Sequence, residues 1–160
     1  MSSIADFEFN NASLCDGVLL VTQEIRQNFP LADVRNQLQQ LVDDARAAMP
    51  DGLNQDQQLE VLIDLFYRKW KFGGAGGVYR LSDAIWLDKV LDKRQGTPVS
   101  LGVIFLHIAH QLDLPLMPVI FPNLHLPIRH SSPDCPLSTL PAYARSVFHR
   151  SMVNQPHFFV

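Results

Sequence analysis

Apolar residues recur at helical spacing through most of the chain up to residue 112. Spacings of three and four residues predict amphipathic helices over residues 13–28, 31–48 and 54–70. A fourth helix is predicted over residues 83–93 and a fifth over residues 98–112. The fifth helix is apolar on almost every side, so other elements must enclose it.

Two segments depart from this helical pattern. Residues 73–77 hold four glycines in five positions, and glycine loses much entropy in a regular element. We therefore predict a flexible loop between two helices there. Residues 116–121 form a short apolar run with Pro118 inside it, which predicts a strand at a sheet edge or at its start. Five helical patterns before one strand indicate an α+β fold with a helical N-terminal half.

The last forty residues differ in composition from the rest of the chain. They hold six of the eleven prolines and four of the six histidines, and no clear helical period survives. We expect residues 123–160 to contribute little packed structure. The sequence thus predicts one domain over residues 1–122, followed by a divergent tail rich in proline and histidine.

Composition excludes several classes of protein. A chain of 160 residues with 47% hydrophobic and 18% charged residues is typical of a globular domain with a buried core. The net charge is −3 without a basic cluster, so neither nucleic acid nor an anionic membrane is expected as a partner. Neither a signal peptide nor a membrane-spanning run is apparent, which predicts a soluble, cytoplasmic protein.

Histidine and cysteine spacing gives no support for a metal site. Cys15 lies in the first predicted helix, where a buried and unreactive thiol is expected, and Cys135 lies between prolines. His107 and His110 are three residues apart on the fifth helix, but no further ligand follows at a standard spacing. We therefore predict no metal and no cofactor.

The start of the fifth helix carries the best candidate for chemistry. Thr97 suits the N-cap and Pro98 the first helical position, which places Ser100 in the first turn. Free N–H groups and the helix dipole there stabilise an anionic nucleophile or an oxyanion. A nucleophilic serine also needs a base and a group that orients the base. The alternative, which we favour, is that Ser100 only satisfies the helix N-terminus.

Several motifs in the middle of the chain carry a family resemblance. They are Leu65-Phe66-Tyr67, Trp70-Lys71-Phe72, Gly77-Val78-Tyr79-Arg80-Leu81-Ser82-Asp83, Leu87-Asp88-Lys89-Val90-Leu91, Arg94-Gln95-Gly96-Thr97-Pro98-Val99-Ser100-Leu101 and Leu114-Pro115-Leu116-Met117-Pro118-Val119-Ile120-Phe121-Pro122. Through them residues 1–122 resemble the bacterial SirB-type transglutaminase-like proteins, in which tetratricopeptide repeats follow the transglutaminase-like domain. The resemblance implies a papain-like fold with a central buried helix and a truncated sheet.

The same resemblance assigns candidate catalytic positions. Ser100 stands where transglutaminase-like enzymes have the nucleophilic cysteine, and the base would come from the strand after the helix. His125 is near that place but is displaced by one residue, which on a strand turns a side chain to the opposite face. No acidic partner follows, since Asp134 lies in a proline-rich turn.

Two functions are compatible with these residues. The first is a catalytically degenerate transglutaminase-like domain that acts as a regulatory or protein-binding module. The second is a weak serine-dependent hydrolase or acyl-transfer enzyme, with Ser100 as the nucleophile and His125 as the base. The sequence does not identify the protein partner.

The resemblance ends near residue 122, whereas the family continues well beyond residue 160. We interpret the chain as a truncated or frameshifted version that lacks the tetratricopeptide repeats. On that hypothesis part of the sheet is missing, and Val103, Ile104, Phe105 and Leu106 are partly exposed. The expected results are marginal stability and self-association through this face of the core helix.

Overall fold

The computed structural model describes residues 13–76, 80–118 and 128–130, with side chains described up to residue 116. The helices are α1 (Leu14–Ile25), α2 (Leu31–Ala48), α3 (Gln55–Asp64), α4 (Leu81–Ile85), α5 (Leu87–Lys93) and α6 (Pro98–Gln111). The strands are β1 (Gly73–Gly74), β2 (Gln95–Gly96), β3 (Leu116–Pro118) and β4 (Ile128–His130). Helices therefore dominate the described part of the chain, and the predicted α+β class is confirmed.

The first three helices begin and end close to the predicted positions. The Ser13 hydroxyl caps α1 by accepting a hydrogen bond from the N–H of Asp16, at 3.1 Å. Asn54 and Gln57 form a reciprocal capping box at the start of α3. The helix continues past α3 as a π-helical turn over Leu65–Lys69, so the predicted element over residues 54–70 is one helical run with two hydrogen-bond patterns.

The helix predicted over residues 83–93 is in fact two helices. Trp86 separates α4 from α5 with an extended backbone, at φ −72° and ψ 123°. The Arg26 guanidinium lies 5.3 Å from the Trp86 ring centroid and 5.5 Å from that of Phe29, and it pairs with Asp88 at 2.8 Å. These contacts come from the end of α1 and the turn after it. The spacing of apolar residues within 83–93 therefore could not reveal the break between the two helices.

The glycine segment is not simply a loop. Gly73–Gly74 pairs in parallel with Gln95–Gly96, and the N–H of Gly73 donates to the carbonyl of Arg94 at 3.0 Å. The prediction that this segment forms no regular element is therefore wrong for β1. The entropic cost of ordering two glycines is offset by hydrogen bonds to a partner strand distant in sequence.

The second sheet joins the end of α6 to a short strand in the tail. β3 begins at the predicted position, pairs antiparallel with β4, and places Leu116 opposite His130. His110 Nε2 lies 2.6 Å from the carbonyl oxygen of Leu116, which fastens the start of β3 to α6. β4 was not predicted, because three residues are too few to reveal a strand pattern. Residues 119–121, which complete the predicted strand, lie outside the described residues.

The core is built around α6, as its apolar surface predicted. Val103, Ile104, Phe105 and Leu106 are each at most 2% exposed. The expectation that this face is uncovered is therefore wrong, and the argument for self-association through it loses its basis. The physical reason is that α1, α2, α5 and β3 all contact α6, and they enclose it from several sides.

Among the residues that the structure describes, no helix combines the length and apolarity needed to cross a membrane.

Candidate functional site

The start of α6 has the geometry that the sequence predicts. Thr97 is the N-cap, and its Oγ1 accepts a hydrogen bond from the N–H of Ser100 at 3.2 Å. Pro98 occupies the first helical position, where its missing N–H costs nothing. Ser100 therefore lies in the first turn of a buried helix.

The Ser100 hydroxyl makes a buried hydrogen bond to the backbone. It donates to the backbone carbonyl of Ala84, with the two oxygens 2.6 Å apart. Ser100 as a whole is only 5% exposed. The Thr97 hydroxyl lies 3.2 Å from the same Oγ, and the N–H of Thr97 also donates to the Ala84 carbonyl at 3.0 Å. The hydroxyl thus fastens the start of α6 to the last turn of α4.

Strand β2 lies directly against this hydroxyl. A Cβ added at Gly96 would come within 2.5 Å of Ser100 Oγ and within 2.9 Å of Val90 Cγ1. Only a residue without a side chain fits between these atoms. The glycine therefore closes one side of the Ser100 environment, and its role is steric.

Proton transfer from Ser100 finds no acceptor among the described residues that contact it. Its hydroxyl partners there are the Ala84 carbonyl and the Thr97 hydroxyl and carbonyl, and none of these groups can serve as a general base. His125, the predicted base, lies outside the described residues.

The other candidates for chemistry were the cysteines and a metal site. Cys15 is a free, buried thiol, and burial raises its pKa to about 12, which makes it unreactive as expected. Within the described ranges, no group of three or more His, Cys, Asp or Glu side chains could hold a metal ion. Cys135 lies outside those ranges.

His107 is half-buried on α6, and loss of hydration lowers its pKa. Asp16 opposes this shift, whereas His110 and Arg35 add to it. The folded state therefore favours the neutral imidazole of His107 more than the unfolded chain does.

We expect His107 to make folding stability depend on pH. As the pH falls, His107 is protonated in the unfolded chain before it is protonated in the folded protein. The free energy of unfolding therefore decreases as the pH drops below the unfolded pKa of about 6.5. The decrease stops once the pH is below the lower pKa of the folded state. Melting curves between about pH 7.5 and pH 5 should show a shallower decline for His107→Gln than for the wild type. Identical slopes for the two proteins would contradict the assignment.

Two parts of this site could not be identified from the sequence. The acceptor for Ser100 is a backbone carbonyl sixteen residues earlier, at Ala84. The close approach of Gly96 also depends on the pairing of β2 with β1. In the sequence, the one sign of this close contact is Gly96, immediately before the N-cap Thr97. A glycine there indicates that another group approaches the backbone closely, but it does not identify that group.

Comparison with known proteins gives a consistent result. Residues 32–143 match the family model described as Transglutaminase-like superfamily. The chain is 59% identical over 123 residues to Protein SirB1 of Salmonella typhimurium, covering 77% of this chain and 46% of SirB1. It is 52% identical over 134 residues to the UPF0162 protein YchA of Escherichia coli, covering 84% of this chain and 49% of YchA. No solved structure is a significant match. The chain spans about half the length of these curated relatives.

Proposed function

Because the chain belongs to the transglutaminase-like superfamily, we propose that it retains the fold without the chemistry and serves as a regulatory or protein-binding module. The observation that carries this proposal is the 2.6 Å hydrogen bond from the Ser100 hydroxyl to the Ala84 carbonyl. A hydroxyl in this bond fulfils a structural role, because its proton points at a carbonyl oxygen that cannot take up the proton during nucleophilic attack.

The oxyanion side of the site supports the same proposal. Pro98 has no N–H, and the N–H of Ser100 is already bonded to the Thr97 hydroxyl. Stabilising an oxyanion with the Ser100 N–H would therefore require breaking the N-cap. Two N–H groups at the start of α6, those of Ser100 and Leu101, are thus bonded within the chain, as expected of a helix end that does not bind a substrate.

The competing function is a weak serine-dependent hydrolase or acyl-transfer enzyme with Ser100 and His125 as the reacting pair. Its support is the position of Ser100 in the first turn of α6, where the helix dipole favours negative charge. For this function the hydroxyl would have to leave the Ala84 carbonyl and reach a base within about 3 Å or through one water.

Labelling with a serine-reactive fluorophosphonate distinguishes the two functions. We expect the wild type to remain as unlabelled as Ser100→Ala, because the Ser100 hydroxyl is buried and donates its proton to a carbonyl rather than to a base. Labelling of the wild type that is lost in Ser100→Ala would refute the proposal and support the hydrolase.

Ser100→Ala is also expected to lower the free energy of unfolding by about 1–2 kcal/mol, the cost of removing a buried hydrogen-bonded hydroxyl. The Thr97 N–H still serves the Ala84 carbonyl, which limits the loss. Urea denaturation measures the change, and Ser82→Ala on the exposed side of α4 is the matched control, with an expected effect within about 0.5 kcal/mol. Equal stability of Ser100→Ala and the wild type would contradict the structural role.

A further inference from the structure

Helix α1 carries an apolar stripe that the described part of the chain leaves largely uncovered. Leu14, Val21 and Ile25 are 44%, 37% and 64% exposed, and Val18 between them is partly buried. The core-facing side of α1 is a different one, formed by the buried residues Cys15, Leu19 and Thr22. The helix is therefore apolar on two adjacent faces, and only one of them is fully packed against the described core.

The spacing of the stripe is that of a coiled-coil seam. Its four residues follow one another at intervals of four, three and four positions, which is the alternation of a and d positions in a heptad. This order reads the same from either end of the helix. When two copies of α1 run antiparallel, Leu14 lies opposite Ile25 of the second copy, and Val18 lies opposite Val21 of the second copy. The stripe is therefore complementary to itself about a two-fold axis.

The charges on α1 fit the same arrangement. The helix has two charged residues, Asp16 in its first turn and Glu24 near its end, and its last turn holds no basic residue. At about 3.6 residues per turn, Asp16 lies on the side of α1 away from the stripe, whereas Glu24 lies at its flank. A carboxylate near a helix C-terminus is unfavourable. Antiparallel pairing brings Glu24 beside the N-terminus of the other α1, where the helix dipole favours its charge.

We propose that α1 is a dimer interface, through which two copies of this chain pack their apolar stripes antiparallel. The interface uses none of the residues at the start of α6, so it is independent of the chemistry at Ser100. A lipid surface is a poorer match for the stripe, because helices that lie on membranes carry Lys and Arg on their polar face and α1 has neither.

The length of the stripe sets the strength of the dimer. From Leu14 to Ile25 the seam is about 16 Å long. A seam this short buries less than the roughly 800 Å² per partner of a standard interface, so the dimer is weak and reversible. We expect a dissociation constant of about 0.1 mM. Sedimentation equilibrium of the full chain between about 10 µM and 1 mM should show the average mass rising from one chain towards two.

Leu14→Glu and Ile25→Lys test the stripe from its two ends. Each dimer holds the substitution twice, so each variant should weaken association at least about thirtyfold and remain a single chain up to about 1 mM. Both changes favour the dipole of α1, since one adds an acid at its start and the other a base at its end. Far-UV circular dichroism should therefore show both variants folded.

An equal mixture of these two variants tests the antiparallel direction. In a mixed dimer, the new carboxylate at position 14 of one chain faces the new ammonium at position 25 of the other, and the second end keeps Leu14 against Ile25. We expect the mixture to associate within about fivefold of the wild type. A parallel pair would place position 14 against position 14, and mixing would then restore nothing.

Leu81→Glu is the matched control, because it adds the same charge at a residue that is 61% exposed on α4, outside the stripe. It should associate like the wild type. The inference is overturned by a wild type that stays a single chain at about 1 mM, by association that Leu14→Glu and Ile25→Lys leave intact, or by a mixture that is not restored. Binding of a single-chain wild type to phosphatidylcholine vesicles, lost in Leu14→Glu, would also overturn it and assign the stripe to lipid.

Discussion

Ile104→Asp is expected to unfold the protein. Ile104 lies in the middle of α6 and is 0% exposed, enclosed by the helices that pack around it. The substitution loses about 1.5–3 kcal/mol of apolar burial, and it places a carboxylate where ionisation costs several kcal/mol more. This sum is comparable with the net stability of about 5–15 kcal/mol that a domain of ordinary size possesses. Far-UV circular dichroism and urea denaturation measure the outcome.

Val99→Asp is the matched control for this prediction. It introduces the same charge on the same helix at a residue that is 46% exposed, in the first turn, where an acidic side chain favours the helix dipole. We expect its free energy of unfolding to stay within about 0.5 kcal/mol of the wild type. A soluble Ile104→Asp protein that melts cooperatively near the wild-type temperature would show that the α6 core is placed incorrectly.

The sequence predicted those parts of the fold that local rules determine. The helix over residues 31–48 has the predicted bounds, and the N-cap at Thr97 was recognised, because capping and helical periodicity depend on neighbouring residues. The break at Trp86 was missed because the ring of Trp86 packs against Arg26, a residue far away along the chain. The Gly73–Gly74 strand was missed for the same kind of reason, since its partner strand follows α5.

The candidate site shows the same division between local and distant contacts. The location of Ser100 in the first turn of α6 followed from Thr97 and Pro98, which are its neighbours. The partner of its hydroxyl could not be predicted, because Ala84 is brought to it by the packing of α4 against α6. The expected exposure of Val103 and its neighbours was wrong because elements from the N-terminal half cover α6. That cover is supplied largely by helices α1, α2 and α5 and does not depend on a large sheet.

Gly96→Ala is expected to cost about 2–3 kcal/mol of folding free energy, the range for forcing a methyl group into a packed site. The new Cβ would lie 2.5 Å from Ser100 Oγ, 2.9 Å from Val90 Cγ1 and 3.3 Å from Leu101 Cγ. None of these atoms can move away easily, since Val90 is 0% exposed and the Ser100 hydroxyl is bonded to Ala84. Chemical denaturation measures the loss directly.

Gly73→Ala provides the control, because it lies on the paired strand and a Cβ there meets no atom within 4 Å. We expect its stability to be unchanged or raised by up to about 1 kcal/mol, through the reduced entropy of the unfolded chain. The double variant Gly96→Ala, Ser100→Ala removes the closest contact, so its loss should be smaller than the sum of the two single losses by about 0.5–3 kcal/mol. If the single losses simply add, or if Gly96→Ala is tolerated as well as Gly73→Ala, then the Ser100 hydroxyl has room to move. A mobile hydroxyl would restore the case for Ser100 as a nucleophile, so this cycle bears on the chemistry of the site as well as on its packing.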